Sequence, residues 1–377
     1  MEKTPRKTSR INSYPSWAPR FWHGMLLGDW LRLVAKNRLR IHPLRIGLAC
    51  TVTGLTAFNS LMSRVEKLCY RDAAKKTELV GPPIFILGHW RSGTTFLHEL
   101  MSADDRFATP TTFQCFAANH FLLTESWMPK LLWFIMPKQR PMDNVKLGWD
   151  EPQEDEFALC SMGAKSPYLR IAFPNKGEDY SAWLDMHDVR GQDLEMWEKT
   201  FDLFLRRVTK QTGRRLILKS PTHTGRIEFL RKMYPEARFI HITRDPRSVI
   251  PSTIKLWDSL DDAQGLQFRK HDLRAFILTT FRQMYRHFEA GRKSLPNEFI
   301  VDVRYEDLVA DPMAQLQRIY DGLQIGEFSA VKEKFEQAVS ARKGYKTNRY
   351  ETSDADRLEI EQNLGDFCER YGYDPRS

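Results

Sequence analysis

Cysteine is scarce in this 377-residue chain. Cys50, Cys69, Cys115, Cys160 and Cys368 lie far apart, and no CxxC pair occurs. An odd, scattered set of thiols excludes a disulfide framework or a cysteine zinc site and fits a reducing cytoplasm. The opening residues hold Pro5, Pro15 and Pro19 among basic side chains and no apolar core, so they do not read as a secretory signal. Internal repeats and low-complexity tracts are absent. A Leu-rich membrane span is also missing. An uncharged run of 18 residues, 46–63, is diluted by three threonines, two serines, an asparagine and two glycines. That run reads as a buried or interfacial helix with basic residues at both ends, Arg45 and Arg64.

What is present is globular in character. Hydrophobic residues make up 42% and charged residues 28%, enough apolar material for a sizeable core. Lys and Arg total 57 against 48 acidic residues, a net +9 that suits anionic partners without choosing among them. After residue 81 the pattern becomes an α/β rhythm. Short apolar runs at 84–87, 216–218, 238–243 and 299–303 predict buried parallel strands. Helical periodicity follows at 94–101, 194–208, 222–233 and 273–288, and Asp311-Pro312 opens a further helix. The expected fold class is therefore α/β, a P-loop-like parallel sheet flanked by helices, with an extra helical N-terminal region. The expected division is 1–80, a basic and apolar helical extension, and 81–377, the domain that carries the α/β pattern.

Three strand exits carry polar chemistry. GHWRSGTT (88–95) has the G-x-x-x-x-G spacing of a phosphate-binding turn, in which backbone N–H groups and a helix N-terminus face an anion. Thr94 occupies the position of the lysine that reaches nucleoside triphosphates, and the cation comes earlier, at Arg91. The turn thus reads as a phosphate cradle without the metal–nucleotide apparatus. A second exit, Arg244-Asp245-Pro246-Arg247, leads to Ser252. Arginine plus a hydroxyl suits an isolated phosphate, while the simpler reading is an Asp245–Arg247 salt bridge. Lys219-Ser220-Pro221-Thr222-His223 forms the third exit. Convergence of three such exits on one cleft points to a doubly phosphorylated nucleotide.

The residues RSGTT after one strand and R-D-P-x-x-x-x-x-S after a later one resemble the sulfotransferases that use 3′-phosphoadenosine 5′-phosphosulfate (PAPS). Further segments are similar to a bacterial branch of that family, which includes the mycobacterial sulfotransferase of ω-hydroxylated menaquinone. They are RPMDN (140–144), PQEDEFAL (152–159), SPYLRIAFPN (166–175), KSPTHTGRI (219–227), RYEDL (304–308) and YKTN (345–348). The resemblance runs from about residue 82 to 373 and implies the sulfotransferase fold. It also implies that Arg91, Ser92, Gly93, Thr94 and Thr95 hold the 5′-phosphosulfate, and that Arg244 and Ser252 hold the 3′-phosphate. Arg342-Lys343-Gly344 is similar to a further 3′-phosphate element.

The implied chemistry is in-line transfer of a sulfuryl group from PAPS to a hydroxyl, with no metal expected. Arg91 and Lys219 would neutralise the departing phosphate, and a general base would take the acceptor proton. The acidic run Glu151, Glu154, Asp155, Glu156 supplies the preferred base, Glu154, although such a run also suits a helix N-terminus. His120 and His223 are rivals. Phe113, Phe116, Phe121, Trp127, Trp133 and Phe134 are candidates for an apolar acceptor pocket or for ordinary core. Taken with the basic, apolar N-terminal region, they lead to an expected lipidic, hydroxylated quinone-like acceptor. The expected setting is cytoplasmic, with peripheral contact at the inner face of a membrane. Two other classes compete: a P-loop nucleotide kinase or ATPase, and a basic nucleic-acid-binding protein. The first lacks its lysine at position 94, and the second lacks any clustered basic motif.

Overall fold

Apolar runs with no polar alternation can be satisfied only between two covering layers, and the strands adopt that arrangement. The computed structural model describes residues 14, 17–70, 73–137, 146–175, 177–342 and 353–374. Five parallel strands, β1 (Ile84–Leu87), β2 (Phe107–Ala108), β3 (Arg215–Lys219), β4 (Arg238–Thr243) and β5 (Ile300–Arg304), pair in the order β2-β3-β1-β4-β5. Alternate residues feed opposite faces. Phe85, Leu87, Leu216, Leu218 and Phe239 enter one buried cluster. Ile84, Ile86, Ile217, Ile240 and Ile242 enter the other. The edge strand β2 went unpredicted because its two residues offer no apolar run, and its pairing Phe107↔Arg215 is purely a tertiary contact.

The helices that matter for the site and its surroundings are α1 (Leu27–Lys36), α2 (Ile46–Tyr70), α3 (Thr94–Met101), α4 (Asp155–Ser161), α5 (Gly191–Thr212), α6 (Pro246–Gln264), α7 (Arg274–Lys293) and α8 (Pro312–Leu323). α5 stops at Gly213, whose φ of 64° is the left-handed conformation that glycine adopts freely. Asp311 caps α8 by accepting from the Ala314 N–H. The helix expected at 222–233 divides into a 3₁₀ segment, Pro221–Arg226, and an α-helix, Ile227–Met233. Thr222, His223 and Arg226 in the first part are drawn onto buried carboxylates, and this side-chain bonding competes with a regular helix there.

The N-terminal helices are stapled to the body. Trp22, Trp30, Leu33, Val34, Ala49 and Val52 share the cluster that fills one face of the sheet. Trp22 Nε1 donates to the Gln264 carbonyl at 2.7 Å, and Arg207 pairs with buried Glu66 of α2 at 2.5 Å. Residues on both sides of position 81 therefore build one core. β1 is the centre of the sheet, with β3 on one side and β4 on the other, so the chain crosses it between β3 and β4. The C-terminal ends of these three neighbours open beside that crossing, where open α/β sheets bind ligands.

Candidate active site

The turn after β1 is shaped by three residues in the left-handed region: Gly88 (φ 152°), Arg91 (φ 70°) and Gly93 (φ 103°). A Cβ on Gly88 would lie 2.5 Å from the Ile242 carbonyl oxygen, and one on Gly93 would collide with the Tyr305 ring. Both sites therefore demand glycine. Arg91 tolerates a costly backbone conformation that bulky side chains seldom hold. Ser92 closes the turn, its Oγ donating to the His89 carbonyl at 2.8 Å. α3 then begins at Thr94, and Gly93 supplies no side-chain cap to its leading N–H groups. Those N–H groups and the two glycines are what a phosphate cradle requires. Thr94 is buried and Thr95 half-buried at the helix entrance.

The second exit meets this turn directly. Arg91 Nε donates to Ser252 Oγ at 2.9 Å, and Arg244 Nη1 donates to the Arg91 carbonyl at 3.2 Å. Arg244 also stacks on Tyr305, 4.2 Å from the ring centroid. Asp245 caps α6 and forks onto Arg247, so the salt bridge within this motif is real and spares Arg244. Arg91, Ser92, Gly93, Arg244 and Ser252 thus form one contiguous group. Arg342 pairs with Glu99 of α3. Its neighbours Lys343 and Gly344, like the RPMDN and YKTN segments, fall outside the described residues.

The third exit is built by the ladder. Lys219 sits opposite Ile86, so it emerges where β1 gives way to the turn. Its buried Nζ donates to Glu154 Oε1 at 2.8 Å. Tyr168 OH donates to the other oxygen, Oε2, at 2.6 Å, and itself accepts from Trp90 Nε1 at 2.8 Å. Trp90 precedes Arg91. A chain of hydrogen bonds therefore links the phosphate turn to the preferred base.

The acidic run is divided among separate partners. Glu151 pairs with Lys146. Asp155 meets His223 Nε2 at 2.5 Å and accepts from Ser220 at 3.0 Å. Burial acts against its charge, but the His223 partner and the hydrogen bonds prevail and hold it below the usual carboxylate range. Glu156 is likewise buried, which acts against its charge, yet it is held low by the charge and two-pronged bond of Arg226, with His223 and Ser166 adding to it; Thr222 also donates to it. The reading of the run as a helix N-terminus holds, since α4 begins at Asp155, with Glu154 at its cap.

His223 lies behind Glu154 on Asp155, packed against Phe85 and Phe201. His120 sits at the α2 contact, with Asn59 and Thr124 as partners, and burial pushes it down to about 4. Neither histidine has a described bond to Glu154 or Lys219. The aromatic set offered as an acceptor pocket or as ordinary core is dispersed. Phe113 and Phe121 are core, whereas Trp127, Trp133 and Phe134 are exposed, because segment 127–134 turns outward. Tyr168, Trp90 and Tyr305 went unassigned in the sequence reading. Tyr168 and Tyr305 lie within SPYLRIAFPN and RYEDL, but only tertiary pairing reveals what they hold.

Residues 82–329 match the Sulfotransferase family. The chain belongs to the sulfotransferase family. It is 40% identical over 373 residues, 99% of this chain and 96% of the relative, to the ω-hydroxy-β-dihydromenaquinone-9 sulfotransferase Stf3 of Mycobacterium bovis. The same figures hold for Stf3 of Mycobacterium tuberculosis. Among solved structures, sulfotransferase STF9 from Mycobacterium avium superposes with a TM-score of 0.71 at 18% identity, covering 92% of each chain. Sulfotransferase STF1 from Mycobacterium tuberculosis gives 0.64 at 18% identity, covering 93% of this chain and 94% of its own. These structures bear out the parallel sheet flanked by helices as the sulfotransferase fold. The enzyme is a sulfotransferase and draws on a sulfonate donor, so the nucleotide kinase and nucleic-acid readings fall away.

Proposed function

We propose that this sulfotransferase takes its sulfuryl group from PAPS and delivers it to the hydroxyl of a hydrophobic, quinone-like lipid. The observation that carries the donor reading is the meeting of the Arg91 turn with Ser252 and Arg244, beside Lys219 and Glu154, at the ends of three adjacent strands. The acceptor class rests on the mycobacterial relatives, which share 40% identity across nearly the whole chain. The family match begins at residue 82, in keeping with a helical extension, 1–80, ahead of a transferase domain, 81–377.

In this reading the α3 N-terminus, Ser92, Thr94, Thr95 and Arg91 cradle the 5′ end of the donor, while Arg244 and Ser252 take its 3′-phosphate. Phosphate oxygens would replace the bonds that Arg91, Ser252 and Arg244 make with one another, so the cationic groups are already gathered. The donor supplies an activated sulfuryl group on a phosphate leaving group. Glu154 accepts the hydroxyl proton as the acceptor oxygen bonds to sulfur. Arg91 and Lys219 neutralise charge on the phosphate oxygen as its bond to sulfur breaks. Tyr168 holds the Glu154 carboxylate in one orientation and ties it to Trp90, next to Arg91. A peripheral membrane setting would bring a lipid acceptor within reach of this cleft.

Incubating purified enzyme with isotopically labelled PAPS and a lipid extract tests the proposal. The expected product is a labelled, organic-soluble sulfate ester whose mass corresponds to a hydroxylated isoprenoid quinone. Label found only on water-soluble phenols or sugars would overturn the acceptor class.

A further inference from the structure

A helix apolar enough to cross a membrane should be buried in a water-soluble body, and α2 is not. With its leading turn it spans Pro43–Tyr70, and an 18-residue window within it has a mean hydropathy of 1.3, yet only 28% of that window is buried. Its inner stripe, Ala49, Val52, Thr56, Asn59, Ser63 and Glu66, is fastened to the protein. Asn59 Nδ2 donates to the His23 and Met25 carbonyls at 2.6 and 3.1 Å, Ser60 accepts from the Leu27 N–H, and Glu66 accepts from Leu123 and Arg207. Threading α2 through a bilayer would break all of these bonds in an apolar medium. It must therefore keep its inner face on the protein and present the other outward.

From residue 46 to 63 that outer face carries no charge. Gly47, Cys50, Gly54 and Ala57 form its smooth middle, with Ile46 at one end and Leu61 (55% exposed) and Leu68 (78% exposed) toward the other. Exposed Arg38 and Arg40 precede it, and exposed Arg64 and Lys67 lie in its last turns. From residue 38 to 70 the only carboxylate is Glu66, which is buried against Arg207. Beside the C-terminal half of α2, where Leu123 bonds Glu66, the chain continues into the segment that turns outward. There Trp133 (74%) and Phe134 (60%) protrude, joined by Leu131 and Trp127, and residues 126–137 carry Lys130 and no carboxylate. Bulky apolar side chains set among positive charge are the pattern of an interfacial membrane contact.

We infer that the outer face of α2 and the Trp127–Phe134 segment form one docking surface for a bilayer with anionic headgroups, on which α2 lies in the interface without spanning it. The inference deepens the proposed lipid acceptor by giving the enzyme a place from which to reach it. A second copy of the chain is the weaker occupant. A two-fold contact would set Arg64, Lys67 and Lys130 against the same charges, which repel each other and are complementary to phosphatidylglycerol.

The test uses the full chain and vesicles containing neither donor nor acceptor, so its failure leaves the transferase reading untouched. Sedimentation with vesicles of equal parts phosphatidylglycerol and phosphatidylcholine should carry down the wild type. Binding should weaken with phosphatidylcholine alone or at raised salt. Leu61→Glu and Trp133→Ala/Phe134→Ala should each reduce binding about tenfold. Both keep the fold by circular dichroism, since they alter exposed side chains, and both keep turnover of a short soluble alcohol. Wild-type protein left in the supernatant, or either variant binding like wild type, overturns the proposal. So does a concentration-dependent dimer in sedimentation equilibrium that Leu61→Glu dissolves, because the face would then belong to a second copy.

Discussion

Glu154 is held from both sides, by the Lys219 ammonium and by the Tyr168 hydroxyl, so its removal and its misorientation can be separated. Glu154→Gln keeps the size of the side chain and removes the proton acceptor. Turnover should fall by about a hundredfold or more, with donor affinity, read by calorimetry, unchanged. Near-normal turnover would remove Glu154 from the role. Tyr168→Phe leaves the base in place without its hydrogen-bond donor. Its kcat should fall about tenfold with little change in KM for the donor. An unchanged kcat would reduce Tyr168 to packing. Arg91, Lys219, Glu154, Arg244 and Ser252 were legible as residues because glycine spacing and strand exits are local signals. Tyr168 was not, since a tyrosine among apolar neighbours reads as core until Trp90 and Glu154 are seen on its oxygen.

Among the elements, the β1–α3 turn should be the least tolerant of change. Gly93→Ala forces a side chain into left-handed backbone and into the Tyr305 ring. The same ring supports Arg244. We expect Gly93→Ala to lose binding of 3′,5′-adenosine bisphosphate, measured by calorimetry, far more than it lowers the melting temperature; retained affinity would contradict the cradle. Strands β1, β3, β4 and β5 could be read from apolar runs alone, to within a residue or two. β2 and the broken helix at 221–233 could not, since one is fixed by pairing with β3 and the other by the buried carboxylates Asp155 and Glu156. The aromatic run through 113–134 could not be sorted into core and surface for a related reason. Composition gives the affinity of these rings for apolar surroundings, but not which surroundings the backbone offers.

For the whole molecule, the burial of histidines has a pH signature. Burial pushes His23 and His120 down to about 4 and His89 to about 3, against an ordinary value of 6.5. The unfolded chain therefore binds protons that the folded one excludes. The resulting stability is complete above 6.5 and is lost as pH falls from there toward 4. By about pH 5 each histidine contributes a loss on the order of 2 kcal/mol. Melting temperatures should drop by several degrees between about pH 7.5 and about pH 5, and His120→Gln should flatten part of that slope. A flat profile would contradict the buried, neutral histidines.

The most direct measurement on the enzyme as a whole is calorimetric titration with 3′,5′-adenosine bisphosphate, 5′-AMP, and ATP with magnesium. If Arg91's turn and the Arg244–Ser252 pair hold the two ends of one nucleotide, the bisphosphate should bind about tenfold or more tighter than 5′-AMP. It should need no magnesium, and Arg244→Ala should erase most of the preference. Equal binding of 5′-AMP, or tighter binding of ATP with magnesium, would show that the gathered cations do not recognise a PAPS-like donor.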